Sequence, residues 1–500
     1  MLTAAIFVPL AGALVVLSLR SLDERRLRAV ATVIASVPLV LTVVAWLRFD
    51  TAIGGFQLVE SAPWIPSLGV TYKIGLDGLS LPLVALTALL FPVSIAYPTD
   101  GKGRLREYLA WFLFLESVSL GVFLALDLFL FYVFFDLSLV GMYFLIGQWG
   151  HGEARRSALK FFIYTLSGTL LVLLGIFGLY LAMSPRTFDM VEIIRQQPLA
   201  GNALAGGLVF LAFVIGFGIK TPIVPFHTWL PPAHVDAPGP ASAILAGVLL
   251  KMGTYAFIRI VLSMLPEAFD RYALWVGIVA VVSIVYGAFV ALGQTNLKRR
   301  IAYTSVNHMG YVILGIAAAA AIGQGGEAAR RLALTGATVE MVAHGLITGG
   351  LFLLSGSVWN RGKEYDLDSY GGLAERAPTM AGITILLAFA SLGLPGLAGF
   401  VAEFQIFVGA FDAFPWLAGI GLLGILVTAA LFLQMVQKLF FGALPDRWGT
   451  WKDLSPVELA SLVPLAALVV VIGVAPAWLL DVIGSASKYI LAAAEAAVRR

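Results

Sequence analysis

Apolar runs of about twenty residues recur along most of this chain, and that is the length a helix needs to cross a hydrocarbon core ~30 Å thick. Lipid offers backbone groups no partners, so an all-α polytopic membrane protein is the fold such runs dictate. About 14 transmembrane helices are expected, at 2–19, 29–48, 80–97, 108–126, 128–147, 157–182, 207–230, 241–263, 273–293, 301–322, 335–357, 379–411, 416–441 and 457–481. Composition agrees, with 60% hydrophobic and only 12% charged residues, against about 25% charged in soluble domains. The first run is followed by Asp23-Glu24-Arg25-Arg26 without a small-residue cleavage site, which reads as a spanning helix rather than a removable leader.

The remaining composition is mostly exclusion. A net charge of +3 spread over loops points to no nucleic acid. With no cysteine there is no disulfide framework, thiolate metal site or iron–sulfur cluster. The five histidines make no haem or zinc pattern, and no glycine-rich phosphate loop follows a strand. No cofactor and no metal are therefore expected on this chain. Basic residues concentrate in alternate loops, at Arg25/Arg26/Arg28, Lys102/Arg104/Arg106, Arg155/Arg156/Lys160, Lys298/Arg299/Arg300, Arg361/Lys363 and Arg447/Lys452. The positive-inside rule makes that side cytoplasmic and puts both termini outside. The longest connections, 49–79, 183–206 and 358–378, are too short for a soluble domain.

Two runs are interrupted. The seventh is followed by Pro222, Pro225, Pro231, Pro232, Pro238 and Pro240, which cannot continue a helix, and the twelfth breaks at Leu394-Pro395-Gly396-Leu397-Ala398-Gly399. Broken helices five segments apart suggest two inverted five-helix repeats, with sites at the breaks. The expected organisation is 1–107 (helices 1–3), 108–263 (first repeat), 273–441 (second repeat) and 442–500 (helix 14 and a tail).

Ionisable residues inside the runs carry the functional reading, because a charge at the bilayer centre costs about 2.5–3.5 kcal/mol even on the lenient scale and by default faces a cavity. Lys220 precedes the first break and Lys251 lies mid-segment; the bland alternative is a lysine snorkelling from a helix end. Glu403, just after the second break, could instead cap the re-entering helix. Asp136 sits among aromatic residues and needs a partner from another helix, for which Lys220 is the natural choice. Glu116 is a second carboxylate one segment earlier. His308 and His344 occupy neighbouring segments, and His227 and His234 the break itself; each could relay protons or be a satisfied structural histidine. Asp77 reads as a cap for the third helix.

The motifs K-T-P-I-V-P-F-H-T-W-L-P, L-A-G-V-L-L-K-M-G-T-Y, I-A-Y-T-S-V-N-H-M-G-Y, M-V-A-H-G-L and L-P-G-L-A-G-F-V-A-E-F resemble those of the antiporter-like membrane subunits of respiratory complex I, colinearly over about residues 75–440. The resemblance implies a proton-translocating subunit of an NADH:quinone oxidoreductase, fourteen helices in two inverted repeats, and a membrane-plane line of lysines, histidines and carboxylates. By motif, Lys220 matches the broken-helix lysine, Lys251 the connecting lysine, Glu403 the exit-side residue and Asp136 the fifth-helix carboxylate. It implies NADH, flavin, iron–sulfur clusters and quinone on partner subunits, flanking antiporter-like siblings, and a bacterial inner membrane. Glu403 where siblings usually carry lysine, and a chain ending soon after its fourteenth segment, fit one sibling type best. Asp136 is one methylene shorter than the usual glutamate, and Pro232 replaces a frequent aspartate. Two functional alternatives share the fold: a subunit of a multi-subunit sodium-extruding cation/proton antiporter, and the pumping subunit of a hydrogenase-, ferredoxin- or formate-linked relative. A third reading makes the polar line inert scaffold.

Overall fold

The computed structural model describes residues 1–99 and 101–499. Among these, eleven helices are long and apolar enough to cross a membrane. All but one coincide with expected segments; Leu2–Ser18, Ser80–Ala96 and Pro378–Ser391 are apolar but shorter, so a count of fourteen does not follow from length and composition alone. Proline inside Leu2–Ser18, Glu24–Arg48, Ser80–Ala96 and Pro456–Val474 does not end those helices, as neighbouring helices in lipid re-satisfy the freed groups.

Both expected breaks are present. Helix Ala203–Lys220 stops before Pro222, the chain turns, and Leu230–Asp236 resumes with prolines in its first turn, where a missing N–H costs nothing. Helix Gly239–Leu262 follows at once. Pro378–Ser391 and Ala398–Ala413 are the halves of the second broken helix. Gly399 allows their close approach, since a Cβ there would collide with the Ala390 carbonyl.

One correction concerns the tail. The last run, expected over 457–481, ends at Val474, and the tail beyond it is helical. Pro456–Val474 stops, Pro476 caps a new helix, and Ala477–Val498 crosses one face of the molecule. Its Trp478 meets Trp46 at 5.4 Å between ring centroids, Val482 packs on Gly78, Ser487 bonds Thr335 at 3.2 Å, and Glu495 lies 3.6 Å from Arg330. The same face carries an antiparallel hairpin, Gln57–Ile65 with Val70–Leu76, pairing Glu60 with Ile74 and Ala62 with Tyr72. Lys73 ties it to Asp189 at 2.6 Å, and Glu60 accepts from the Met1 amine at 2.6 Å.

The opposite face carries the basic loops. Arg28 donates to the carbonyls of Ile95, Tyr97 and Thr99, His151 bonds the Asp236 carbonyl, Asn360 the Pro98 carbonyl, and Arg361 the Lys452 carbonyl. The predicted charge asymmetry is therefore a feature of the folded chain. Two of its members are not solvated, however: Lys298 and Arg300 are buried.

Candidate functional site

Helix Glu327–Gly362 is buried over its spanning window and packs against Gly239–Leu262, Leu297–Ala320 and both halves of the second broken helix. The core's ionisable side chains gather where these helices meet.

Lys251 is fully buried just after a π-helical turn, Leu245–Leu249. Such a turn shifts the hydrogen-bond ladder and commonly marks function; here the Ala246 carbonyl accepts from Lys251 Nζ at 2.5 Å. The same nitrogen lies 2.6 Å from His344 Nδ1, so an ammonium here donates to an unprotonated ring nitrogen. The rings of His344 and His308 are 5.3 Å apart. His308 continues the series, with Nδ1 3.0 Å from Glu340 Oε1 and 3.9 Å from Glu403 Oε1, and Nε2 3.0 Å from Ser391 Oγ. An amine, two imidazoles and two carboxylates thus form one buried file ending at the second helix break.

Glu403 does not cap its helix. It stands beyond the first turn of Ala398–Ala413, whose N-cap Leu397 has no side-chain cap, and its carboxylate reaches back towards the break. A Cβ at Gly393, held at φ +77°, would collide with Glu403 Oε2.

The first break is arranged differently. Lys220 is buried at the C-terminus of its half-helix, donates to Ser138 Oγ at 3.0 Å, and lies 5.1 Å from the Phe135 ring centroid. The expected Asp136–Lys220 ion pair is not formed: Asp136 Oδ1 accepts from Thr169 Oγ1 at 3.0 Å. Helical geometry is the reason, because residues two apart point about 200° from one another. Phe135 and Ser138 face the lysine, while half-buried Asp136 looks towards helix Ala154–Ala182.

Among the other expected residues, His234 is buried and stacks on Phe352 at 4.3 Å, with neither ring nitrogen bonded to protein. His227 packs edge-on against Tyr286 at 5.1 Å, its Nδ1 unpartnered. Glu116 is fully buried and neither carboxylate oxygen has a protein partner. Asp77 caps its helix by accepting from Ser80 N at 2.9 Å, as expected, and also binds Arg259 at 2.6 Å in a buried ion pair.

Sequence reasoning missed Glu340, which bonds His308 and leaves its second oxygen buried without a partner. The signal was there, since Glu340 precedes His344 by four residues and so shares its helix face. Lys298, taken for a loop residue in L-K-R-R, is buried and donates only to neutral acceptors, the Ala237 carbonyl at 2.5 Å and Ser242 Oγ at 3.0 Å.

Comparison with known proteins agrees with this architecture. Residues 125–435 match a family model described as NADH:quinone oxidoreductase/Mrp antiporter, TM. NADH-quinone oxidoreductase subunit M of Rhodobacter capsulatus is 39% identical over 506 residues, covering 98% of this chain and 96% of the relative. A chain of respiratory complex I from Thermus thermophilus with bound NADH superimposes at a TM-score of 0.87 with 30% identity, covering 98% of this chain and all of that one (100%). A chain of the Mrp complex from a Dietzia species shares the fold at a TM-score of 0.84 and 22% identity, with 98% of each covered. With its spanning helices and matches that run nearly end to end, this multi-pass membrane protein belongs to the NADH:quinone oxidoreductase/Mrp antiporter transmembrane family.

Proposed function

We propose that this chain is the proton-translocating membrane subunit of a complex I-type NADH:quinone oxidoreductase. The observation that carries the reading is the buried file from Lys251 through His344 and His308 to Glu340 and Glu403, with Lys251 Nζ 2.6 Å from His344, the two imidazoles 5.3 Å apart between ring centroids, and His308 3.0 Å from Glu340 and 3.9 Å from Glu403. Groups this costly to bury persist in a membrane interior where protons or ions use them.

In this mechanism Lys220 loads from the face that carries the basic loops, assigned as cytoplasmic by the positive-inside rule. The hairpin face, with both termini, is then periplasmic. His227, His234, Glu116 and Thr221 have buried polar atoms that the protein leaves unbonded, and water can link such groups to one another. The proton passes to Lys251, along the imidazoles and out past Glu403. Each member holds a proton only while its neighbours favour the charged form, so displacing one charge moves the next. Asp136, half-buried and turned from Lys220, acts on that lysine across a longer gap than an ion pair, or acts on a neighbouring subunit. Each broken helix is the fourth of its five-helix repeat, and the breaks are where the two half-channels place their sites.

Moving one charge against 100 mV costs about 2.3 kcal/mol, and we place its source on partner subunits holding NADH, flavin, iron–sulfur clusters and quinone. Two antiporter-like siblings flank this chain in a bacterial inner membrane. Mass spectrometry of chains co-purifying with the native protein tests the assembly and should find flavin- and iron–sulfur-binding subunits. In the assembled complex in proteoliposomes, Lys220→Ala is expected to abolish this subunit's proton uptake and slow quinone reduction; full proton uptake at normal turnover refutes the mechanism. Sodium-dependent transport needing neither NADH nor quinone would instead favour the cation/proton antiporter reading that the shared fold keeps open.

A further inference from the structure

Lys298 is a buried cation that the file from Lys251 leaves out. It is fully buried and donates to two neutral acceptors, the Ala237 carbonyl at 2.5 Å and Ser242 Oγ at 3.0 Å. Ala237 follows Asp236, whose half-buried carboxylate accepts from Ser157 Oγ at 2.5 Å. A Cβ on Gly152 would stand 2.9 Å from Asp236 Oδ1, so the carboxylate lies directly under the turn at 150–152, on the face that carries the basic loops. The backbone of that turn is held in place by His151 N, which donates to the Asp236 carbonyl at 2.8 Å. The charge of Asp236 is felt at Lys298. A carboxylate at the rim and an amine in the interior are thus fixed to neighbouring residues of one short segment.

The inner side of Lys298 continues towards the file. Ser242 Oγ, which receives its bond, itself donates to the His234 carbonyl at 3.1 Å. His234 is fully buried with both ring nitrogens unbonded by protein, and it lies within electrostatic reach of both Lys298 and Lys251. Its ring stacks on Phe352, which shares the i, i+4, i+8 ridge of helix Glu327–Gly362 with Thr348 and His344. At 1.5 Å per residue, Phe352 and His344 are separated by roughly 12 Å along that helix. Thr348 Oγ1, 3.5 Å from His344 Nδ1, stands between them, and His344 Nε2 is unbonded by protein. Buried polar atoms are nearly always satisfied, so unbonded imidazole nitrogens at two levels of one helix call for water between them.

We propose that Asp236 and Lys298 form a proton inlet, opening on the face of the basic loops and loading the file at its Lys251 end through His234. Asp236 takes a proton from water at that face. The Lys298 ammonium gives its own proton to His234 through water and is reloaded from Asp236, so one proton enters for each that moves on. His234 passes it towards Lys251 through water at Thr348. A buried lysine suits this part because its amine gives up a proton where a guanidinium does not. The inlet rests on the proton-pumping reading above, in which Lys220 keeps its part as the charge whose displacement drives the file.

The test uses the assembled complex in proteoliposomes, with thermal unfolding of each variant alongside. Asp236→Asn keeps the shape and an acceptor oxygen for Ser157 but carries no proton; proton uptake and quinone reduction are expected to fall together by about tenfold. Asp236→Glu should recover both, and added formate, a small weak acid that delivers protons, should recover quinone reduction. Lys298→Arg keeps a cation on the same acceptors yet does not release a proton, and is expected to be as slow as Lys298→Met. Should Lys298→Arg unfold early, Asp236→Asn at the half-buried rim decides alone. Normal rates in the folded variants, or a loss that neither Asp236→Glu nor formate relieves, overturn the inlet. Lys220→Ala separates the two levels: if it abolishes proton uptake while the inlet variants are normal, only the inlet falls, and if it leaves uptake intact, the pumping reading falls with it.

Discussion

Glu340 is the residue whose position says most about the core. It turns His308 from a lone imidazole into a branch point between two carboxylates, one bonded at 3.0 Å and the other 3.9 Å away. Glu340→Gln keeps the volume and removes the charge. In the assembled complex it should cut coupled proton transport at least tenfold with little change in unfolding temperature, measured by dye quenching in proteoliposomes beside a thermal melt. The Asp77–Arg259 pair predicts the reverse. Both side chains are only 2% exposed, and removing one partner of a buried pair leaves the other uncompensated at a cost of about 3–5 kcal/mol. Asp77→Ala should therefore lower stability sharply, and a melt within a degree of the parent would contradict this. Neither role was fully legible from sequence: Asp77 was readable as a cap because its local spacing fits one, whereas its partner lies on a helix 182 residues away.

Among the elements, the second broken helix depends on glycine where the chain reverses. Gly393 combines a left-handed φ of +77° with a side-chain direction already occupied by the Glu403 carboxylate. Gly393→Ala should cost about 1 kcal/mol or more in backbone strain and displace Glu403 from His308; proton transport falling further than stability would confirm that order of effects. The hairpin acts as a tether. Burial pushes the Glu60 carboxyl up, but hydrogen bonds from the Met1 amine and Thr3 outweigh it and hold the group at about 2. A depressed folded value contributes stability that is full above the unfolded value near 4.5 and is lost as pH falls towards 2. Glu60→Gln should thus destabilise at pH 7 and converge with the parent only as pH falls below about 2 in thermal unfolding. The breaks were legible because proline and glycine act locally. The helix Ala477–Val498 was not, since hydropathy runs on from Val474 past only Ala475 and Pro476, and hydropathy does not distinguish a helix lying across a face from one that spans.

For the whole molecule, the bilayer explains why so much could be read in advance: span length, charge asymmetry between loops and the cost of buried ions are all solvent constraints. Side-chain direction is not among them, which is why the Asp136–Lys220 pair was expected and is absent. What the molecule adds is connection, a polar file crossing between helices that separate runs of sequence supply. The central claim is that protons use it. The most direct measurement is the number of protons translocated per electron by the assembled complex in proteoliposomes carrying Lys251→Met. The account predicts a lower ratio, with slowed quinone reduction that an uncoupler does not restore to the parent's rate; an unchanged ratio at full electron-transfer rate would contradict it.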